Sequence, residues 1–222
     1  MDTYEPFLGW IISRLKRRMP TAKLLLQETW AYEIDSTHDR FVRYERRQDI
    51  MYRRLRNCYM QKAHQYKIPL IPCGDVIQEL RKLPPFDVAH GGISLCQDGF
   101  HMSYDYGRYA VACTWLAVMF DVETLNALGE YNAVDWCGSE LAQADGTIIV
   151  EMHKTIRAVC RSKISVRLVS SFDLLSYIWR NPKIYARGGC TTPRFFCAPY
   201  LCYRALRSKF LDVAAKSPAL SY

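Results

Sequence analysis

With 222 residues, half of them hydrophobic and 23% charged, the chain is long enough for one α/β domain and is neither a disordered nor a collagen-like polymer. Its formal net charge of +8 is unevenly placed: residues 1–160 carry 19 Lys/Arg against 20 Asp/Glu, whereas residues 161–222 carry 11 against two and contain no Glu. The positive balance therefore describes a basic C-terminal tail, and residues 1–160 form the domain to be explained.

In chain order, Glu5 to Arg18 reads as an amphipathic helix, because Phe7, Leu8, Ile11, Ile12 and Leu15 recur at three-and-four spacing before Pro20 stops them. The run Ala22 to Trp30, with Leu24, Leu25 and Leu26 in succession, predicts a strand buried on both faces of a parallel sheet. A polar loop, Glu33 to Arg40, leads to a predicted helix over 42–66. Tyr44, Met51, Leu55, Cys58, Tyr59 and Ala63 form its inner stripe, with arginines outside. A short strand follows at Ile68 to Pro72, then a helix to about Lys82 with Asp75 as its N-cap.

Pro84-Pro85 and Gly91-Gly92 mark a loop. Ser103 to Phe120 is apolar nearly all round and predicts a buried helix. A last helix is predicted over 144–161, with Ile148, Val150 or Met152, Ile156 and Val159 inward. The alternation of helix and strand is that of a parallel α/β sheet. Two convincing strands before residue 160 are fewer than a doubly wound sheet needs, so the domain is expected to be incomplete at its N-terminus.

The longest apolar run, Tyr109 to Phe120, is interrupted by Thr114 and is too short to cross a bilayer of about 30 Å. The start of the chain carries Asp2 and Glu5 where a signal peptide would be basic. No membrane partner is expected, and the cytoplasm is the expected compartment unless a signal peptide lies upstream. Nine irregularly spaced cysteines without a Cys-x-x-Cys fit reduced, buried thiols.

Nucleotide-cradling glycine motifs and His-Glu-x-x-His do not occur. His38, His64, His90, His101 and His153 make no pair at ligand spacing, and no histidine follows Cys190, Cys197 and Cys202. Neither a metal nor a cofactor is expected.

The informative motif is Asp98-Gly99-Phe100-His101, directly before the buried helix. An Asp three residues ahead of a His can turn back to accept the imidazole Nδ1–H, leaving Nε2 to take a proton from a hydroxyl nucleophile. Asp35-Ser36-Thr37-His38 has the same spacing, but Asp98–His101 sits between a strand end and a helix, where α/β catalytic residues gather.

Asp98 to Ser103, with Gly107-Arg108-Tyr109 and Ala112-Cys113-Thr114-Trp115, resembles the closing block of SGNH (GDSL-type) hydrolases. Gln27-Glu28-Thr29-Trp30-Ala31-Tyr32, Asp35 to His38, Met51-Tyr52 and Ile71-Pro72-Cys73-Gly74 are similar to a bacterial SGNH-like family. The resemblance runs in order from about Tyr4 to Phe120. It implies a flavodoxin-like three-layer α/β/α fold and hydrolysis of acyl esters of carbohydrates or lipids. Asp98 and His101 would be the acid and base of a Ser-His-Asp site, and Trp30 would line the substrate pocket or sit as an ordinary core tryptophan. The family's nucleophile block and its oxyanion-hole residues would precede Tyr4, so this chain is expected to be inactive alone.

Two serines could stand in. Ile164 to Val169 alternates like a strand and is followed by Ser171, which would make a circularly permuted nucleophile; Cys137-Gly138-Ser139 is a weaker match. The tail supports a different reading, a non-catalytic interaction protein whose arginines, interleaved with Tyr and Phe, contact an acidic partner or RNA. No nucleic-acid motif accompanies it, so it reads equally as a solvated surface or as a segment foreign to the domain. Self-association through an exposed sheet edge is a further expectation.

Overall fold

The computed structural model describes residues 4–120, 122–127, 132–134, 140–143 and 145–163. Strand-like Ile164 to Val169, the candidate serines Ser139 and Ser171, and the tail beyond residue 163 lie outside the described residues. Within them the chain is a mixed α/β structure. In order it forms α1 (Phe7–Arg18), β1 (Leu26–Gln27), α2 (Gln48–Tyr66), β2 (Leu70–Ile71), α3 (Cys73–Leu80), α4 (Gly107–Met119), β3 (Asn132–Val134), β4 (Glu140–Gln143) and α5 (Gly146–Lys163).

β1 and β2 pair in parallel, Leu26 opposite Leu70 and Gln27 opposite Ile71, so β1-α2-β2 is a strand–helix–strand unit. The predicted strand from Ala22 to Trp30 shortens to two residues, and Leu24, Leu25 and Leu26 are half-buried. Among the described residues β1 has a neighbour on one edge alone, so the double-sided burial that its apolar run predicts is not reached. β3 and β4 form a separate antiparallel pair with a register shift between Ala133 and Val134. Neither strand has an alternating pattern, and sequence reading missed both.

The main core lies where α3, α4 and α5 pack on one another and on β2. α4 is buried nearly all round, as its composition predicts: Tyr109, Ala110, Ala112, Cys113, Leu116, Ala117 and Val118 are all inside. It begins at Gly107, later than expected: Ser103 lies outside the helix, ahead of the N-cap residue Tyr106, and accepts the Gly107 amide on Oγ at 3.1 Å and the Arg108 amide on its carbonyl at 3.0 Å. On α5 the inward residues are Ile149, Met152, Ile156, Val159 and Cys160, while Val150 faces solvent. The predicted helix over 42–66 divides into a 3-10 turn, Asp39–Tyr44, and α2, because Glu45 and Arg46 adopt left-handed conformations with φ of 59° and 50°.

Asp75 is not an N-cap. α3 starts at Cys73, after Pro72, and Asp75 turns into the interior, where it accepts hydrogen bonds from the Tyr52 hydroxyl (2.6 Å) and Arg56 Nε (3.1 Å). The capping is done from across the sheet: Glu28, just after β1, accepts the Asp75 amide at 2.9 Å.

Between α4 and α5, the Tyr109 hydroxyl lies 2.8 Å from His153 Nε2 in a buried contact. Burial, aided by Arg157, pushes the His153 imidazole down to about 4 from an ordinary value near 6.5. The folded chain therefore refuses a proton that the unfolded chain accepts. Stability from this group is complete above about pH 6.5 and falls as pH drops towards 4, by up to about 2 kcal/mol after allowance for solvent reaching the interface. Denaturant midpoints at neutral pH and near pH 4.5 should differ more in the wild type than in His153→Gln.

Candidate active site

β1 ends at Gln27, and the segment that leaves it grips the Asp98–His101 loop. Trp30 Nε1 donates to the Phe100 carbonyl at 2.8 Å, and the Glu33 amide donates to the Gly99 carbonyl at 2.8 Å. The loop is closed at its base by a bridge between Cys96 and Met102 and by the Gln97 amide donating to the His101 carbonyl at 2.9 Å. Gly99 has φ of +82°, and a Cβ there would lie 3.0 Å from the Ser36 Cβ and Oγ, so the turn needs glycine on both counts. The pair thus sits at the exit of a parallel strand, where open α/β sheets bind ligands.

Asp98 Oδ2 lies 2.6 Å from His101 Nδ1, and Oδ1 accepts the backbone amides of His101 (2.7 Å) and Phe100 (3.2 Å). A carboxylate can only accept here, so Nδ1 carries the proton and Nε2 offers its lone pair. The His101 hydrogen bond, followed by the two amides, holds the Asp98 carboxyl below its ordinary value. The orienting group therefore stays ionised through mildly acid pH and is lost only when pH falls through that lowered value. Both side chains reach solvent, with 63% of His101 exposed, and among the described residues nothing hydrogen-bonds Nε2.

Asp35 and His38, the other match in the sequence, do not pair. His38 Nδ1 accepts the Arg40 amide at 3.1 Å, and its ring lies 4.8 Å from Tyr32 and 4.7 Å from Phe100. Phe100 is in turn 4.1 Å from the His101 ring, so His38 extends an aromatic wall beside His101. Sequence reading missed another pair of the same form: Asp87 Oδ2 lies 2.7 Å from His90 Nδ1. The Asp-x-x-His spacing was there to be found. The hydrogen bonds of Asp87 and His90 stay within residues 84–92, with no group from a strand end attached. Geometry of the pair alone is thus not specific; its attachment to the strand exit is.

Behind the loop is a buried ion pair that the sequence did not announce. Arg81 Nη2 lies 3.3 Å from Glu33 Oε2, with side chains 5% and 2% exposed. Arg81 also donates to the Ala31 carbonyl at 3.0 Å, and Glu33 accepts from Gln48 Nε2 (2.9 Å) and Ser94 Oγ (3.1 Å). Trp30 packs its ring on the main core, as expected of a core tryptophan, while its indole N–H holds the loop. No group of three or more His, Cys, Asp or Glu among the described residues could hold a metal ion, and no helix among them is long and apolar enough to cross a membrane.

Residues 1–147 match a family model described as a domain of unknown function, DUF4886. No curated protein matches the sequence significantly. Among solved structures, the chain is similar to a DUF4886 family protein from Bacteroides uniformis ATCC 8492. The two are 22% identical with a TM-score of 0.56, over 72% of this chain and 57% of that one. At that identity the likeness concerns the fold, and this chain spans less than two thirds of that protein's length.

Proposed function

The chain belongs to the DUF4886 family, and on that premise we propose that it carries the acid and base of an SGNH-type ester hydrolase. The observation that carries the reading is the 2.6 Å Asp98–His101 contact, held by Trp30 and Glu33 at the exit of β1. The parallel β1–β2 ladder would then be part of a flavodoxin-like three-layer α/β/α sheet. In the reaction, a serine hydroxyl would give its proton to His101 Nε2 while attacking the ester carbonyl. Asp98 would hold the imidazolium that results, and His101 would return the proton to the leaving alkoxide.

No described residue hydrogen-bonds Nε2, so the serine would come from outside the described residues; without it the full hydrolase cycle is not expected, and what remains is slow attack of water on an activated ester with His101 as general base. In that state His101 acts on water, and the aromatic wall of Phe100, Tyr32 and His38 shelters the acyl group.

Hydrolysis of p-nitrophenyl acetate by the full chain checks this. His101→Ala is expected to lower the protein-dependent rate at least about tenfold, the low end of general-base catalysis. His90→Ala removes a histidine with the same aspartate contact and should leave the rate unchanged. Equal losses in the two variants would reduce the activity to that of any exposed imidazole and overturn the reading. No turnover, together with salt-sensitive RNA binding that disappears on deleting residues 161–222, would favour an interaction protein instead.

A further inference from the structure

α1 has two apolar faces, and the body of the protein covers one. Ile12 is buried and Leu8 and Leu15 are half-buried. The helix is pinned to the end of α2 by Glu5, whose Oε1 accepts from Lys62 Nζ (2.9 Å) and the Tyr66 hydroxyl (2.5 Å). The other face points to solvent: Phe7 is 60% exposed, Trp10 64% and Ile11 56%. Phe7 and Trp10 pack edge to face with ring centroids 5.5 Å apart. Singly exposed apolar residues are ordinary, but two aromatics and an isoleucine on adjacent turns of one stripe form a patch.

The same stripe continues into cations. Residues 7, 10, 11, 14 and 18 follow at helical spacing, and Arg14, Lys16, Arg17 and Arg18 are all exposed. No Asp or Glu occurs from Pro6 to Gln27, and Glu5, the nearest acid before them, is held by Lys62 and Tyr66. We infer that α1 is a peripheral docking helix for an anionic lipid surface, Phe7, Trp10 and Ile11 entering the headgroup boundary while Arg14 and Arg18 on the same stripe, with Arg17 at its flank, face lipid phosphates.

Charge decides the occupant. A second copy meeting this face about a two-fold axis would set cations against the partner's cations or against its aromatics, with no carboxylate on either helix to pair them. The chain's own segment 161–222 is strongly basic and is repelled by the same cations. A negative interface satisfies both halves of the stripe, because each cation near it gains attraction while Trp and Phe prefer the headgroup level. The helix is 12 residues long and lies on the surface without crossing it. The inference concerns peripheral binding alone, since no helix among the described residues is long and apolar enough to cross a membrane, and it stands apart from the hydrolase reading.

Flotation of the full chain with vesicles provides the test. Binding is expected to vesicles of phosphatidylcholine mixed with phosphatidylglycerol, to weaken steeply as salt rises, and to be absent with phosphatidylcholine alone. The combined variant Phe7→Ser, Trp10→Ser, Ile11→Ser keeps every charge, including the tail's, and its side chains are solvent-facing in the fold. It should bind at least about tenfold more weakly. Arg14→Gln with Arg17→Gln and Arg18→Gln should weaken binding as well. Unchanged binding in the apolar variant would assign the attraction to the tail and overturn the inference, as would no binding at all. A dimer seen in sedimentation velocity and lost in the apolar variant would make a second copy the occupant and overturn it too.

Discussion

Glu33→Gln is expected to destabilise the fold by about 3–5 kcal/mol, the cost of leaving a buried guanidinium without its counter-charge. The change preserves shape, removes the charge facing Arg81, whose side chain is 5% exposed, and turns one of two hydrogen-bond-accepting oxygens of Glu33 into a donor. Among the described residues no second carboxylate contacts Arg81. Cys96 Sγ is 3.5 Å from Arg81 Nη2, but burial pushes that thiol up to about 11, so it remains neutral at physiological pH. Among the described residues Arg81 Nε already has no hydrogen-bond partner, which leaves the cation little to fall back on. The Glu33 amide holds the Gly99 carbonyl, so the Asp98–His101 loop should loosen along with the core. Denaturant unfolding of the wild type and the variant measures the first effect; the His101 ring resonances in NMR report the second. Adding Arg81→Met should recover part of the loss, because an apolar side chain no longer needs a partner.

Gly74→Ala is expected to cost about 3 kcal/mol, at the upper end for overpacking a tight interior. A Cβ on Gly74 would lie 2.2 Å from the Thr29 carbonyl oxygen and 3.0 Å from Glu28 Cγ and Cδ. The first obstacle is backbone, so either α3 or the exit of β1 must move. Moving that exit shifts Trp30, one residue on, and with it the hydrogen bond to the Phe100 carbonyl. A lowered melting temperature with reduced His101-dependent ester turnover is the expected pattern. Melting like the wild type would show that the contact relaxes freely. Both substitutions lie away from the reacting atoms, yet each reaches the loop through the segment that follows β1.

Much of the framework was legible because burial imposes a period on a sequence. The all-round apolar pattern of α4, the stripe of α5 and the parallel pair around α2 all follow from which side chains avoid water. The ends of elements were less legible. Ser103, outside α4, accepts its first amide, two left-handed residues break the helix before α2, and Glu28, just after β1, accepts an amide of the first turn of α3. Each of these depends on one or two hydrogen bonds or dihedrals, too local or too distant in sequence to leave a periodic trace. β3 and β4 left none at all.

The candidate site divides in the same way. An Asp three residues before a His fixes by covalent reach that the two can meet, and this sequence contains three such pairs. Asp98–His101 and Asp87–His90 close, whereas His38 turns its Nδ1 to the Arg40 amide and its ring to Phe100. Which closed pair is attached to a strand exit is decided by Trp30 and Glu33, at separations of about 70 residues that no spacing rule spans. The period of α1 placed Phe7, Leu8, Ile11, Ile12 and Leu15 on one stripe, and only the folded structure shows that Leu8, Ile12 and Leu15 turn inward while Phe7 and Ile11 stay exposed beside Trp10. By itself the sequence determined the helices and the parallel strand pair, the uneven charge and the reach of Asp98 to His101. Tertiary structure decided which pair is held, which helix face stays wet and which buried charges must be matched, because those outcomes depend on contacts between segments far apart along the chain.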